Sequence, residues 1–183
     1  VKIKFTGGET ADVGDLVKTL IVDSTVACRP KRSEILEIDI QDDDVIVGFA
    51  SFGQATYETS YNAGTGSNGL TSGRHDLLAH NYHQKYPESY DLNTDEDYIY
   101  SGKFNLTDKL EGTPLDIGKA LLSPTRTYAP ILNKIVENNE LKNAIHGIIH
   151  CTGGAQTKVM KFLDKPLHII KDNLIDIPPL FKT

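Results

Sequence analysis

Three glycine-bearing turns divide this chain, and they limit its possible folds more than any other feature. Gly7-Gly8 follows the β-type run Val1–Phe5, Gly66–Gly69 stands directly before a helical pattern, and Gly153-Gly154 separates an apolar run from a second helical pattern. Glycine permits backbone geometries and close approaches that a side chain would block. Each turn is therefore both a break between short elements and a place where main-chain N–H groups can face a ligand.

The segments between the turns read as a mixture. Val1–Phe5, Leu16–Cys28, Glu34–Asp39 and Val45–Ala50 carry the β-branched density of strands, with the acidic turn Asp42-Asp43-Asp44 between the last two. Ser51–Gly73 is a long loop rich in Gly, Ser, Thr, Asn and Tyr, and loops of that length are usually functional or mobile. Leu70, Leu77 and Leu78 predict a short helix over 69–80, whereas Tyr82–Thr113, polar and aromatic with Asp95-Glu96-Asp97 at its centre, reads as a surface excursion. Tyr128, Ile131, Leu132, Ile135 and Val136 form one apolar helix face, starting at Ser123-Pro124 or at Pro130. Ala144–Cys151 and Leu167–Ile170 read as strands and Gln156–Leu163 as a helix. The sum is an α+β fold, a mixed sheet layered with helices.

Charge and composition exclude several functions. A net charge of −6 argues against nucleic acid and anionic membrane as partners, so any polyphosphate must be held by local geometry. No apolar run approaches the ~20 residues that span a bilayer. Two cysteines, Cys28 and Cys151, are too few for a disulfide scaffold, and a reducing cytoplasm is the expected location.

The turns carry the candidate chemistry. Glu9 and Asp12, beside Gly7-Gly8, offer hard oxygen donors suited to Mg²⁺, or are solvated acids in a plain turn. Ser67-Asn68-Gly69 before a helix forms an anion cradle, or a flexible loop with Asn68 left-handed. His150-Cys151-Thr152-Gly153-Gly154, between strand and helix, has the general geometry of a phosphate site but lacks the P-loop ending and the full dinucleotide spacing. His146 and His150, on a strand, would lie ~13 Å apart and share no ion. His80 and His83 have no third ligand near them in sequence, so a structural zinc site is not expected. Cys151 reads as a small packing residue.

Taken in order, these pieces resemble the phosphoribosylformylglycinamidine cyclo-ligase (aminoimidazole-ribonucleotide synthetase) family. Gly7-Gly-Glu-Thr-Ala-Asp12 resembles its GGETAE segment, and Ser67-Asn-Gly69 with Arg74 resembles its SNG-x-S-x-x-R element. Ala120-Leu-Leu-Ser-Pro-Thr-Arg126 with Tyr128 is similar to ALL-x-PTR-x-Y, His150-Cys-Thr-Gly-Gly154 to H-[IL]-TGG, and Asp176-Ile-Pro-Pro-Leu-Phe181 to an IPP-x-F run. The chain departs from the pattern at Ala155, where a third glycine is common, at Cys151, where Ile or Leu is usual, and in extra length over Tyr57–Gly66. The family's DG-x-G-[TS]-K segment has no counterpart here, and the chain reads as a fragment.

The resemblance implies a PurM-like C-terminal domain over 31–183 with remnant strands of an N-terminal, ATP-side domain over 1–30. It implies ATP-dependent closure of formylglycinamidine ribonucleotide to aminoimidazole ribonucleotide by a homodimeric enzyme. It places Ser67, Asn68, Gly69, Thr152, Gly153 and Gly154 on substrate phosphate or ribose, Glu9 and Asp12 on the ATP–Mg²⁺ side, and His150 as the group that moves the ring-closure proton. Arg126 pairs with a phosphate or, the favoured reading, bridges within the fold.

Overall fold

The computed structural model describes Lys4 and residues 24–66, 69–151 and 155–183. Six α-helices lie among them: α1 (Leu70–Leu77), α2 (Asn81–Lys85), α3 (Ile117–Leu121), α4 (Ala129–Glu137), α5 (Asn139–Asn143) and α6 (Pro179–Lys182). Short 3-10 segments occupy Arg32–Glu34, Pro87–Ser89 and Glu96–Tyr98, and a longer one runs over Ala155–Phe162.

Local chemistry sets these boundaries. Asp116 caps α3 by accepting from the Lys119 amide at 2.7 Å, and Asn138 caps α5 by accepting from the Glu140 and Leu141 amides. α4 takes the later of its two expected starts, with Pro130 in the first turn, where a missing N–H costs nothing. Its apolar face falls as the periodicity requires, with Ile131, Leu132, Ile135 and Val136 half-buried.

The expected mixed sheet is not present among the described residues. There is no strand, only the isolated bridges Gly53–Asn62, Leu78–Phe104, Ala79–Gly102 and Lys109–Asp116. The reason lies in pairing. Leu36, Ile38 and Ile40 alternate inward as a strand would, and Ile38 and Ile40 meet the bare backbone of Gly147. Only one backbone hydrogen bond, from Asp39 N–H to the His146 carbonyl at 2.8 Å, joins that run to the Ala144–Cys151 run. Val45, Ile46 and Val47 are 86%, 57% and 72% exposed, and Ile170 is 67% exposed. β-branched content favours a pleated, half-buried surface, but a ladder needs a partner, and these runs have none among the described residues. Apart from Lys4, the expected strand over Val1–Phe5 lies outside the described residues, as does the start of Leu16–Cys28.

The core sits elsewhere. Leu78, Tyr82, Ile99, Tyr100, Leu110, Ile117, Ala120 and Leu121 are buried together with Ala63 and Leu180. Four of those ten, Tyr82, Ile99, Tyr100 and Leu110, come from Tyr82–Thr113. The span expected as a surface excursion thus supplies part of the core from its two ends, while residues 83–98 stay half-buried or exposed. Tyr82 and Tyr100 enter the core because their hydroxyls find partners. Tyr82 Oη accepts from the Leu106 amide at 3.0 Å, and Tyr100 Oη pairs with Ser89 Oγ at 2.7 Å. The rings of Tyr82 and Tyr90 both meet Tyr100 edge-on. Gly102 lets two backbones cross: a Cβ there would lie 2.2 Å from the Leu77 carbonyl carbon and 2.4 Å from the Asp76 oxygen.

Candidate functional site

The Ala120–Arg126 stretch lies against the loop that leads into α1. Asn62 Nδ2 donates to the Pro124 carbonyl at 2.8 Å, Ser123 Oγ accepts from the Ala63 amide at 2.9 Å, and Thr65 Oγ1 donates to the Ala120 carbonyl at 2.8 Å. Gly66, at φ +61°, abuts Thr125 Oγ1. Two segments separated by more than fifty residues in sequence therefore form one wall.

Arg126 fastens that wall. Its side chain is 6% exposed, and it donates to both Glu58 carboxylate oxygens at 2.8 and 2.7 Å and to the Ala50, Phe52 and Gly53 carbonyls. A guanidinium offers five N–H groups, and these five bonds match them. Arg126 is thus an internal fastener, as the favoured sequence reading had it. Its hydrogen bonds and charge hold the Glu58 carboxyl below its ordinary value of 4.5, while Glu58 raises the Arg126 guanidinium. Burial pushes the nearby Tyr128 hydroxyl up.

Beside this wall opens a solvent-connected cleft of about 490 Å³. Gly69, at the start of α1, lies on its rim with Thr65, Asp76, Ser101 and Lys103, while Leu77, Leu121 and Leu180 form its apolar floor. Gly73 leaves room for Leu121, so α1 packs closely on α3 and its first turn faces the cleft. A helix start, a lysine and hydroxyls around one concavity suit an anionic ligand with an apolar body.

Of the residues expected to bind phosphate, Gly69 is on this cleft. Ser67, Asn68, Thr152, Gly153 and Gly154 lie outside the described residues, as do Glu9 and Asp12. His150 is exposed in an extended run, with no hydrogen bond to the Gly69 turn among the described residues. Cys151 is exposed and free, which corrects the reading of it as a packing residue. Ala155 adopts φ +45°, a left-handed backbone that favours glycine, at the position where the family commonly has one. Sequence reasoning missed Lys103 and Ser101. They reach the cleft through the Leu78–Phe104 and Ala79–Gly102 bridges, a pairing with no sequence signature.

Comparison with known proteins gives a consistent result. A protein of Methanococcus vannielii named phosphoribosylformylglycinamidine cyclo-ligase is 32% identical over 182 residues, which is 98% of this chain. Its namesake from Methanocaldococcus jannaschii is 29% identical over 181 residues, again 98% of this chain. The chain is homologous to these cyclo-ligases. A third relative with that name, from Methanococcoides burtonii, is 27% identical over 164 residues, 87% of the chain. The chain spans about 41% of the length of the first two cyclo-ligases and 37% of the third. No family model matches it. No described helix is long and apolar enough to cross a membrane.

Proposed function

We propose that this chain forms the ribonucleotide-holding part of a phosphoribosylformylglycinamidine cyclo-ligase, an ATP-dependent ligase of purine biosynthesis. The observation that carries the reading is homology over 98% of the chain to proteins that bear this name. The packing of Asn62–Thr65, just ahead of the Ser67-Asn-Gly69 motif, on the Ala120–Pro124 part of a second resembling motif is compatible with it.

In this reaction ATP phosphorylates the amide oxygen of formylglycinamidine ribonucleotide and ADP departs. An amidine nitrogen of the same molecule then attacks that carbon, the imidazole closes, phosphate leaves and a proton is lost. Little covalent work falls to the protein, and positioning with charge stabilisation dominates. The turns at Ser67-Asn68-Gly69 and Thr152-Gly153-Gly154 hold the substrate phosphate and ribose by main-chain N–H groups, which suits a chain of net charge −6. His150, an exposed imidazole beside the second turn, takes the proton released at ring closure. Glu9 and Asp12 supply the oxygen donors that suit the Mg²⁺ accompanying ATP. Residues 1–30 belong to the ATP side and 31–183 to the substrate side, and the enzyme is a cytoplasmic homodimer.

The test has two parts. The chain alone is expected to bind the ribonucleotide substrate in calorimetry without turning it over, and Thr152→Ala is expected to remove most of the heat. The full-length gene product is expected to form aminoimidazole ribonucleotide from that substrate and ATP. Turnover only with selenide or with thiamine phosphate would assign it to a different ATP-using branch of the superfamily. Substrate binding unchanged by Thr152→Ala would remove the second turn from the site.

A further inference from the structure

A second cluster, away from the Gly69 wall, brings together His80, His83 and Glu96. His80 precedes α2 and His83 lies within it, with ring centroids 4.1 Å apart. His80 Nδ1 is 3.0 Å from the Ile99 carbonyl oxygen, and His83 Nδ1 is 2.6 Å from the His80 carbonyl oxygen. A carbonyl only accepts, so each Nδ1 carries a proton, and in the neutral ring each Nε2 then presents a lone pair. Both Nε2 atoms turn toward one carboxylate oxygen, Glu96 Oε1, at 3.9 and 3.7 Å. Those separations are too long for hydrogen bonds. They are close to the ~3.3–3.6 Å that separates ligands on one tetrahedral centre with bonds of about 2.0–2.2 Å.

The supports are built in as well. Backbone carbonyls hold both rings at Nδ1, the arrangement that orients imidazoles on a metal. His83 is 13% exposed and cannot swing freely, whereas the Glu96 side chain, 74% exposed, can close the remaining distance. Asp95 fixes the backbone under Glu96 by accepting from the Asp97 amide at 3.1 Å.

We propose that His80 Nε2, His83 Nε2 and the Glu96 carboxylate bind one divalent transition metal of the zinc class, with solvent completing the coordination. Two imidazoles and one carboxylate suit Zn²⁺ or Co²⁺, while Mg²⁺ prefers oxygen ligands alone and does not compete. The metal ties α2 to the Glu96–Tyr98 turn, and through Ile99 to the core.

The probe is the metal alone, titrated into chelator-treated protein and followed by calorimetry with Zn²⁺ and by the visible spectrum with Co²⁺. The chain is expected to take up one Zn²⁺, undisturbed by excess Mg²⁺. Glu96→Gln and His83→Asn are each expected to weaken uptake more than about tenfold, and His168→Asn to leave it unchanged. Because Glu96 is exposed, Glu96→Gln keeps the metal-free melting temperature and remains informative if His83→Asn unfolds. Absence of zinc uptake, uptake displaced by Mg²⁺, or uptake of wild-type strength in Glu96→Gln would each overturn the site.

Discussion

The middle of this molecule and its described flanks use similar apolar residues to opposite effect. Between Ala63 and Leu121, Ile117 and Ala120 are fully buried and Leu110 is 2% exposed. In the flanks, Val45 is 86% exposed, Ile170 67% and Leu174 64%. What differs is non-local geometry. The middle is closed by the two bridges around Gly102 and the Tyr82 and Tyr100 hydroxyl bonds, and at its border the Arg126 fastener ties the chain to Ala50–Glu58. The runs at 34–50 and 144–150 share a single backbone hydrogen bond. Apolar side chains stabilise a fold only where something fixed across the sequence brings their partners to them.

That contrast can be broken or sharpened by substitution. The largest effect is expected for Arg126→Met, which strands the Glu58 charge and three carbonyls. A loss of about 3–5 kcal/mol in urea unfolding is expected, and a loss under about 1 kcal/mol would remove Arg126 as the fastener. Next comes Gly102→Ala, whose methyl would collide with the Leu77 backbone. It is expected to cost about 3 kcal/mol by thermal melting, where an unstrained glycine would gain from the change.

Acid should act on the same half of the molecule. Burial, with Arg74 adding to it, holds the His75 imidazole below its ordinary 6.5, and His75 Nδ1 accepts from the Tyr100 amide at 3.2 Å. A base with a lowered folded value binds fewer protons folded than unfolded, so its contribution is complete above pH 6.5 and declines as pH falls below it. Glu58 adds a second loss at lower pH, as the pH falls through its folded value below 4.5. The melting temperature of His75→Gln is expected to fall less steeply below pH 6.5 than that of the wild type. Parallel curves would exclude His75. The smallest effect belongs to the flank: Val47→Ser, at a residue 72% exposed, is expected to change stability by less than about 0.5 kcal/mol.

The sequence was legible where the signal is local. The spacing of Leu70 and Leu77 located α1, and the apolar face from Tyr128 to Val136 located α4. Gly69, the last residue of the Gly66–Gly69 stretch, lies on a cleft. It misled where the outcome depends on partners. β-branched runs looked like strands but lack ladders, and Tyr82–Thr113 looked like surface because burying tyrosine requires hydroxyl partners that no local pattern shows. Glu96 was invisible as a third ligand for the same reason, since only the fold brings it to His80 and His83.

The most direct measurement is an amide NMR titration of the chain with formylglycinamidine ribonucleotide. Under the proposed function, in which both turns hold a single ligand by its phosphate and ribose, the Gly69, Gly153 and Gly154 resonances are expected to shift together along one saturation curve. Saturable binding that shifts neither turn, or two curves with different midpoints, would contradict a shared main-chain grip on the ribonucleotide.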